Sequence, residues 1–196
     1  MYSTILNNIS KYVTLDAQEE LLFTGMLTFK SIPKKTIVLK AGDICDFNAY
    51  IQKGCIRIFY IDDNGYEVTL SFATQDCWVS DVSSFYERIP SLFSIETLEE
   101  TDIYFLSSHA KEEICKSIPK LEGVFYNQII QNLSSIQKRL VKIFTTTATE
   151  RYEEFISVYP SILRRIPLYY IASYLGITQA FLSKIRKNFT RKGSMK

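Results

Sequence analysis

Between Thr178 and Lys187 the chain reads TQAFLSKIRK, which sets hydrogen-bonding and cationic side chains at helical spacing beside apolar ones. Leu182 and Ile185, three residues apart, share one face of such a helix, so Gln179, Ala180, Ser183 and Lys184 project elsewhere, with Thr178 at the start of the helix beside them. A glutamine amide can bond an adenine edge at two points, a lysine can donate to guanine, and Ala180 can pack against a thymine methyl. Arg186, Lys187 and Arg191, farther along or behind, suit phosphate. This is the chemistry of recognising a polyanion, and no covalent bond has to be made or broken.

Catalysis is harder to build from the remaining residues. There is a single histidine, His109, and no Ser/His/Asp set, glycine-rich phosphate loop or metal-ligand cluster is spelled out. The four cysteines, Cys45, Cys55, Cys77 and Cys115, are far apart and form no C-x-x-C pair, which points to reduced structural thiols. Neither an enzyme nor a bound cofactor or metal is expected.

Charge supports the polyanion reading. From Pro160 onward there are eight basic residues and no Asp or Glu, so 15 of the 23 basic and all 21 acidic residues precede it. Such asymmetry points to an anionic partner, although a solvated basic tail would look the same by charge alone.

The segment must also be held in shape. Gly176 interrupts IPLYYIASYLGITQAFLSKIRK, and one continuous helix would lose about 1 kcal/mol by carrying it in place of Ala. Two helices crossing at a turn need it. Ala172 lets the second helix pass close, Gly176 tolerates left-handed backbone, and Leu168, Ile171, Leu175, Ile177, Leu182 and Ile185 fill the angle. Thr178 caps the second helix, and Pro167 suits the first turn of the first.

The rest of the chain divides by periodicity. Residues 1 to about 30 have helical spacing, with Asp16 as a cap. From Pro33 to Leu106 short alternating runs take over: Ile56, Ile58 and Tyr60 fall on one face, as do Val68, Leu70 and Phe72, with Asn64-Gly65 supplying positive backbone dihedrals for a tight hairpin. The expectation is an antiparallel barrel or roll. From about Ile118 to Thr147 a long helix is predicted, on which Tyr126, Ile129, Leu133, Ile136, Leu140 and Ile143 recur at spacings of three and four. That seam fits either a homodimer interface or the covering of the chain's own β-domain. Thr147 or Thr149 caps the next helix, with Glu150 in its first turn.

The expected fold is α+β. It comprises a β-roll sensor domain over residues 1–117, a connecting or dimerisation helix over 118–147, and a helix-turn-helix domain over 148–196. Composition fits packed domains, with 46% hydrophobic and 22% charged residues. No secretory signal and no apolar run of roughly 18 residues appears, so no membrane span is expected and the cytoplasm is the expected compartment.

KAGD, QKGCIRIFYIDDNGYEVTLSFATQD and the IPLYYIASYLGITQAFLSKIRK segment together resemble the cyclic-AMP receptor/fumarate-nitrate regulator (Crp/Fnr) family of bacterial transcription factors. The resemblance implies a jelly-roll sensor of the cyclic-nucleotide-binding type, a homodimer, and a helix-turn-helix docked in the major groove of double-stranded DNA. RNA polymerase is a further partner it allows. In nucleotide-binding members a Gly-Glu pair opens the helix between two strands, and a later arginine takes the cyclic phosphate. Here Ser80-Asp81 stands for the first, Asp81 one methylene short, and Ser91 falls at the arginine position. Arg88 is the nearby cation that could substitute. A buried phosphate without its cation is poorly compensated, so no response to cyclic AMP is expected and the effector is unknown. The chain ends eight residues after Asn188, which leaves little room for the wing that follows the recognition helix in the family. A sensor whose C-terminal helices dock a protein is the alternative to DNA binding.

Overall fold

The computed structural model describes residues 2–193, with side chains to Phe189. Two short helices open the chain, α1 (Ser3–Ser10) and α2 (Ala17–Gly25). Asp16 caps α2 in a reciprocal box: its carboxylate accepts from Gln18 N and Glu19 N, while Glu19 accepts from Asp16 N.

Eight strands follow: β1 (Thr28–Ile32), β2 (Ile37–Leu39), β3 (Phe47–Lys53), β4 (Cys55–Ile61), β5 (Glu67–Thr74), β6 (Trp78–Val79), β7 (Ser94–Thr97) and β8 (Thr101–Ser107). They form two four-stranded sheets, ordered β1-β8-β3-β6 and β2-β7-β4-β5, with helix α3 (Val82–Glu87) between β6 and β7. The expected roll is present, and it begins at β1, ahead of Pro33.

Pleating explains how the first sheet is covered on both faces. Ala49, Ile51 and Ile103 point inward to a core with Leu39, Ile56, Val79 and Ile95. Tyr50, Tyr104 and Leu106 alternate to the other face, where they pack on Ile5 and Ile9 of α1, Phe23 of α2, Ile114 of α4 (Ser108–Ser117) and Leu121, Val124 and Phe125 of α5 (Lys120–Thr145). Each such side chain contributes about 1.5–3 kcal/mol by leaving water.

The β4–β5 connection departs from the expected turn. Of Asn64 and Gly65 only Gly65 has positive φ, +81°. The loop is longer than two residues: Asp62 N donates to Tyr66 O, Gly65 N to Asp62 O, and the Asp62 carboxylate accepts from Asn64 N and Tyr66 N. Five residues, Asp62 to Tyr66, with a side-chain cap need one left-handed position where a two-residue turn needs two.

Helix α5 has 26 residues, about 39 Å at 1.5 Å per residue. After it come α6 (Ala148–Val158), a 3-10 turn (Ile162–Arg164), α7 (Leu168–Leu175) and α8 (Gln179–Gly193). Thr147 is the cap of α6, in a second reciprocal box with Glu150. Among the described residues no strand follows β8.

Two compact units result, and they do not run linearly along the chain. One comprises residues 1–58 and 72–135, the other residues 59–71 and 136–196. The tip of the β4–β5 hairpin therefore belongs with the C-terminal helices.

Candidate nucleic-acid interface

Helices α7 and α8 meet at Gly176, whose φ of +68° and ψ of +36° place it in the left-handed region. Ile177 N donates to Ala172 O at 3.0 Å and Gly176 N to Ser173 O at 3.1 Å, closing the end of α7. Pro167 is the N-cap of α7, one position before its first helical residue. Thr178 Oγ1 accepts from Phe181 N, and Leu182 N donates to Thr178 O, so the cap of the next helix lies two residues past the glycine.

Ile171, Ala172, Leu175, Leu182 and Ile185 are buried, as are Tyr152 and Phe155 of α6, Ile162 of the intervening turn and Ile166 just after it. Leu168 and Ile177 are half-buried.

The opposite side of α8 faces water. Thr178, Gln179, Ala180, Ser183, Lys184 and Lys187 are all exposed, and all but the capping Thr178 lie within an arc of about 140° at 100° per residue. Ser183 Oγ donates back to Gln179 O, which leaves its lone pairs outward. Arg186 is half-buried at the edge of this arc. The side chain of Arg191 lies outside the described residues.

Two arginines that the sequence reading did not single out converge on the carboxyl end of α7. Arg139 of α5 donates to Tyr174 O at 2.7 Å and stacks 4.1 Å from the Tyr174 ring centre. Arg151 of α6 donates to Leu175 O at 3.3 Å and to Thr146 O at 2.6 Å. Cations at a helix C-terminus satisfy its orphan carbonyls and the negative end of its dipole. Burial holds the Arg139 guanidinium below its ordinary pKa, opposed by the nearby tyrosines. Its i,i+4 neighbours gave no hint of this role, because the partner carbonyl lies 35 residues on.

In the roll, the candidate effector residues separate. Asp81 is buried as the N-cap of α3, accepting from Ser84 N at 3.2 Å and from Ser91 Oγ at 2.6 Å. Ser80 Oγ sits 3.5 Å from Cys45 Sγ. Asp81 and Ser91 are thus bonded to each other while Ser80 contacts Cys45, and an anion arriving at the start of α3 would meet the Asp81 carboxylate. Arg88 joins neither contact. With φ of +57° it ends α3 and turns to an ion pair with Asp46 at 2.9 Å, half exposed. The buried cation next to α3 is Lys111 of α4, whose ammonium lies 4.3 to 5.2 Å from the rings of Tyr86, Phe125 and Phe85. Among the described residues no group of three or more His, Cys, Asp or Glu side chains is placed to hold a metal ion.

On α5 the seam residues Tyr126, Leu133, Ile136, Leu140 and Ile143 are exposed and Ile129 is half-buried. Ile130, Val141 and Phe144 widen the stripe, and Phe144 is 78% exposed. No described helix is long and apolar enough to cross a membrane.

These features agree with what the chain is similar to. Residues 29–117 match the cyclic nucleotide-binding domain. That domain is the roll with α3 and α4, and the match ends just before α5. No curated protein matches the chain in sequence. Among solved structures, the c-di-GMP responsive global regulator CLP of Xanthomonas campestris shares 16% identity over 91% of this chain and 93% of its own, with a TM-score of 0.72. FixK2 of Bradyrhizobium japonicum shares 14% over 85% and 86%, with a TM-score of 0.76. A transcriptional regulator of the Crp/Fnr family from Eubacterium rectale shares 19% over 91% and 85%, with a TM-score of 0.69. At these identities the likeness is one of fold. It extends past the cyclic nucleotide-binding domain into the C-terminal helices.

Proposed function

We propose that the chain is a homodimeric, DNA-binding transcriptional regulator of the Crp/Fnr type, whose cyclic nucleotide-binding-like roll does not respond to cyclic AMP. Helices α7 and α8 act as a helix-turn-helix, with α8 entering the major groove. The observation that carries the reading is the exposed arc of α8. Gln179, Ser183, Lys184 and Lys187 stand clear of the packing face, behind a left-handed glycine turn, in a segment without a single acid after Pro160. In this reading Gln179, Ala180, Ser183 and Lys184 meet base edges, and Arg186 and Lys187 meet the backbone.

The apolar stripe of α5 is assigned to a second copy, because a palindromic site needs two recognition helices and the stripe follows near-heptad spacing. Domain limits follow this division of roles: sensor over 1–117, dimer helix over 118–147 and DNA reader over 148–196. RNA polymerase is the further partner. The lack of cyclic-AMP binding rests on Asp81, which holds the start of α3, and on Arg88, which is committed to Asp46.

A mobility-shift titration on duplex DNA at several salt concentrations tests the reading. Binding should weaken steeply with salt, with a log–log slope of about −0.9 for each phosphate contacted. Absence of binding at low salt would reject it in favour of a protein partner for α7 and α8. Saturable heat on titration with cyclic AMP would reject the claim about the roll.

A further inference from the structure

Strand β5 is the edge of its sheet, so one row of its backbone N–H and C=O groups has no neighbouring strand. At the hairpin tip a side chain takes the place of that strand. Ser173, on α7, donates its hydroxyl to Glu67 O at 2.8 Å and accepts from Thr69 N at 2.8 Å. One hydroxyl thereby satisfies an acceptor and a donor two residues apart, as the residue of a paired strand would. One residue on, Arg139 donates from Nη1 to Leu70 O and from Nη2 to Tyr174 O, so a single guanidinium joins the hairpin to the last turn of α7. The hairpin tip, α7 and the second half of α5 belong to the same compact unit.

Among the described residues no strand follows β8, so no later strand supports α7. Helix α7 carries Ala172 and Leu175, which seat α8, and its end at Gly176 sets the angle at which α8 departs. We propose that Ser173 and Arg139 are positioning residues for DNA recognition: they bind α7 to the β4–β5 hairpin, which serves here as the sheet support of the reading helix. This rests on the DNA-binding reading above. Ser173 is half-buried against the hairpin and Arg139 is engaged with two carbonyls and a ring, so neither is available to a nucleic acid.

The test uses the full-length protein and a duplex selected from a random pool, with a scrambled duplex as competitor, below the unfolding temperature of every variant. A tilted α8 loses base contacts before it loses phosphate contacts. Ser173→Ala, which removes two hydrogen bonds, should therefore lower the ratio of selected to scrambled affinity by about tenfold. Ser173→Thr, which keeps the hydroxyl, should restore most of it. Arg139→Lys should lower the ratio in the same direction with the salt slope unchanged, whereas a residue touching phosphate would reduce that slope by about 1. Wild-type ratios in Ser173→Ala and Arg139→Lys would overturn this inference alone. Equal loss on both duplexes would also overturn it, since a smaller folded fraction scales all binding together. A wild-type protein that binds neither duplex would overturn the DNA-binding reading and this inference together.

Discussion

Arg57 donates from Nε and Nη2 to one oxygen of Glu96, at 2.7 Å in each case, inside the sheet that joins β4 to β7. Arg57 is 2% exposed, so the pair is bound in a setting where water screens little. A buried pair gains little over a well-packed apolar pair, but removing one partner strands a charge, at about 3–5 kcal/mol. Glu96→Ala should cost that much in urea unfolding. Arg57→Met with Glu96→Leu should recover most of the loss.

Asp76 ties the N-terminus to the roll. Its carboxylate accepts from Asn8 Nδ2 and Tyr50 Oη at 2.8 Å and from Lys11 Nζ at 2.6 Å, while Trp78 Nε1 donates to Asn8 at 2.9 Å. Burial alone would raise its pKa, but these donors outweigh burial and hold it below the ordinary 3.8. A depressed carboxylate gives stability that is complete above the unfolded value and lost as pH falls through the folded one. Unfolding midpoints should therefore drop as pH falls below about 3.8, the ordinary value. Asp76→Asn, which keeps a residue tolerant of the left-handed φ of +67° found there, should be less stable at neutral pH and flatter through that acid range.

Gly176 is required for its backbone and not for space. A Cβ added there would meet nothing within 4 Å, yet φ is +68°. Gly176→Ala should cost about 1–2 kcal/mol, a fall of several degrees in Tm, and Gly176→Asn should cost less.

Thr69, fully buried in β5, has a hydroxyl that bonds no described group, although its backbone N–H is taken by Ser173. Replacing an unsatisfied buried hydroxyl by a methyl of the same shape removes a desolvation penalty of about 1–3 kcal/mol. Thr69→Val should raise the urea midpoint with an unchanged slope.

How much of this could be read from the residues follows from the range of the interactions. The α7–α8 turn was legible because glycine, cap and apolar spacing all act within twenty residues, and local rules govern them. The roll was legible for the same reason, strand by strand. Arg57 was not: it sits mid-strand between Ile56 and Ile58, its sequence position reads as solvent-facing, and only Glu96, 39 residues away, explains its burial. Ser173 and Arg139 were missed likewise, since their partners lie 104 and 69 residues distant. At Asn64-Gly65 the dipeptide was right for a hairpin, but Asp62 extended the loop and changed which residue carries the positive φ.

The α5 stripe gives the last prediction. Leu133, Ile136 and Leu140 lie on one side of the helix with about half or more of each surface in water, and Ser135, also exposed, lies on the other. If a second copy covers the stripe, Leu140→Glu buries an unpaired carboxylate there, at several kcal/mol. Sedimentation should then show the dimer dissociation constant rising by about 100-fold or more. Ser135→Glu adds the same charge away from the stripe and should leave the constant unchanged. If α8 reads DNA as proposed, an operator with two half-sites engages that helix of both copies, so Leu140→Glu should also lose selected-duplex affinity with its circular dichroism intact. A wild-type chain that sediments as a monomer, or a Leu140→Glu variant that dimerises normally, would assign the stripe to some other partner.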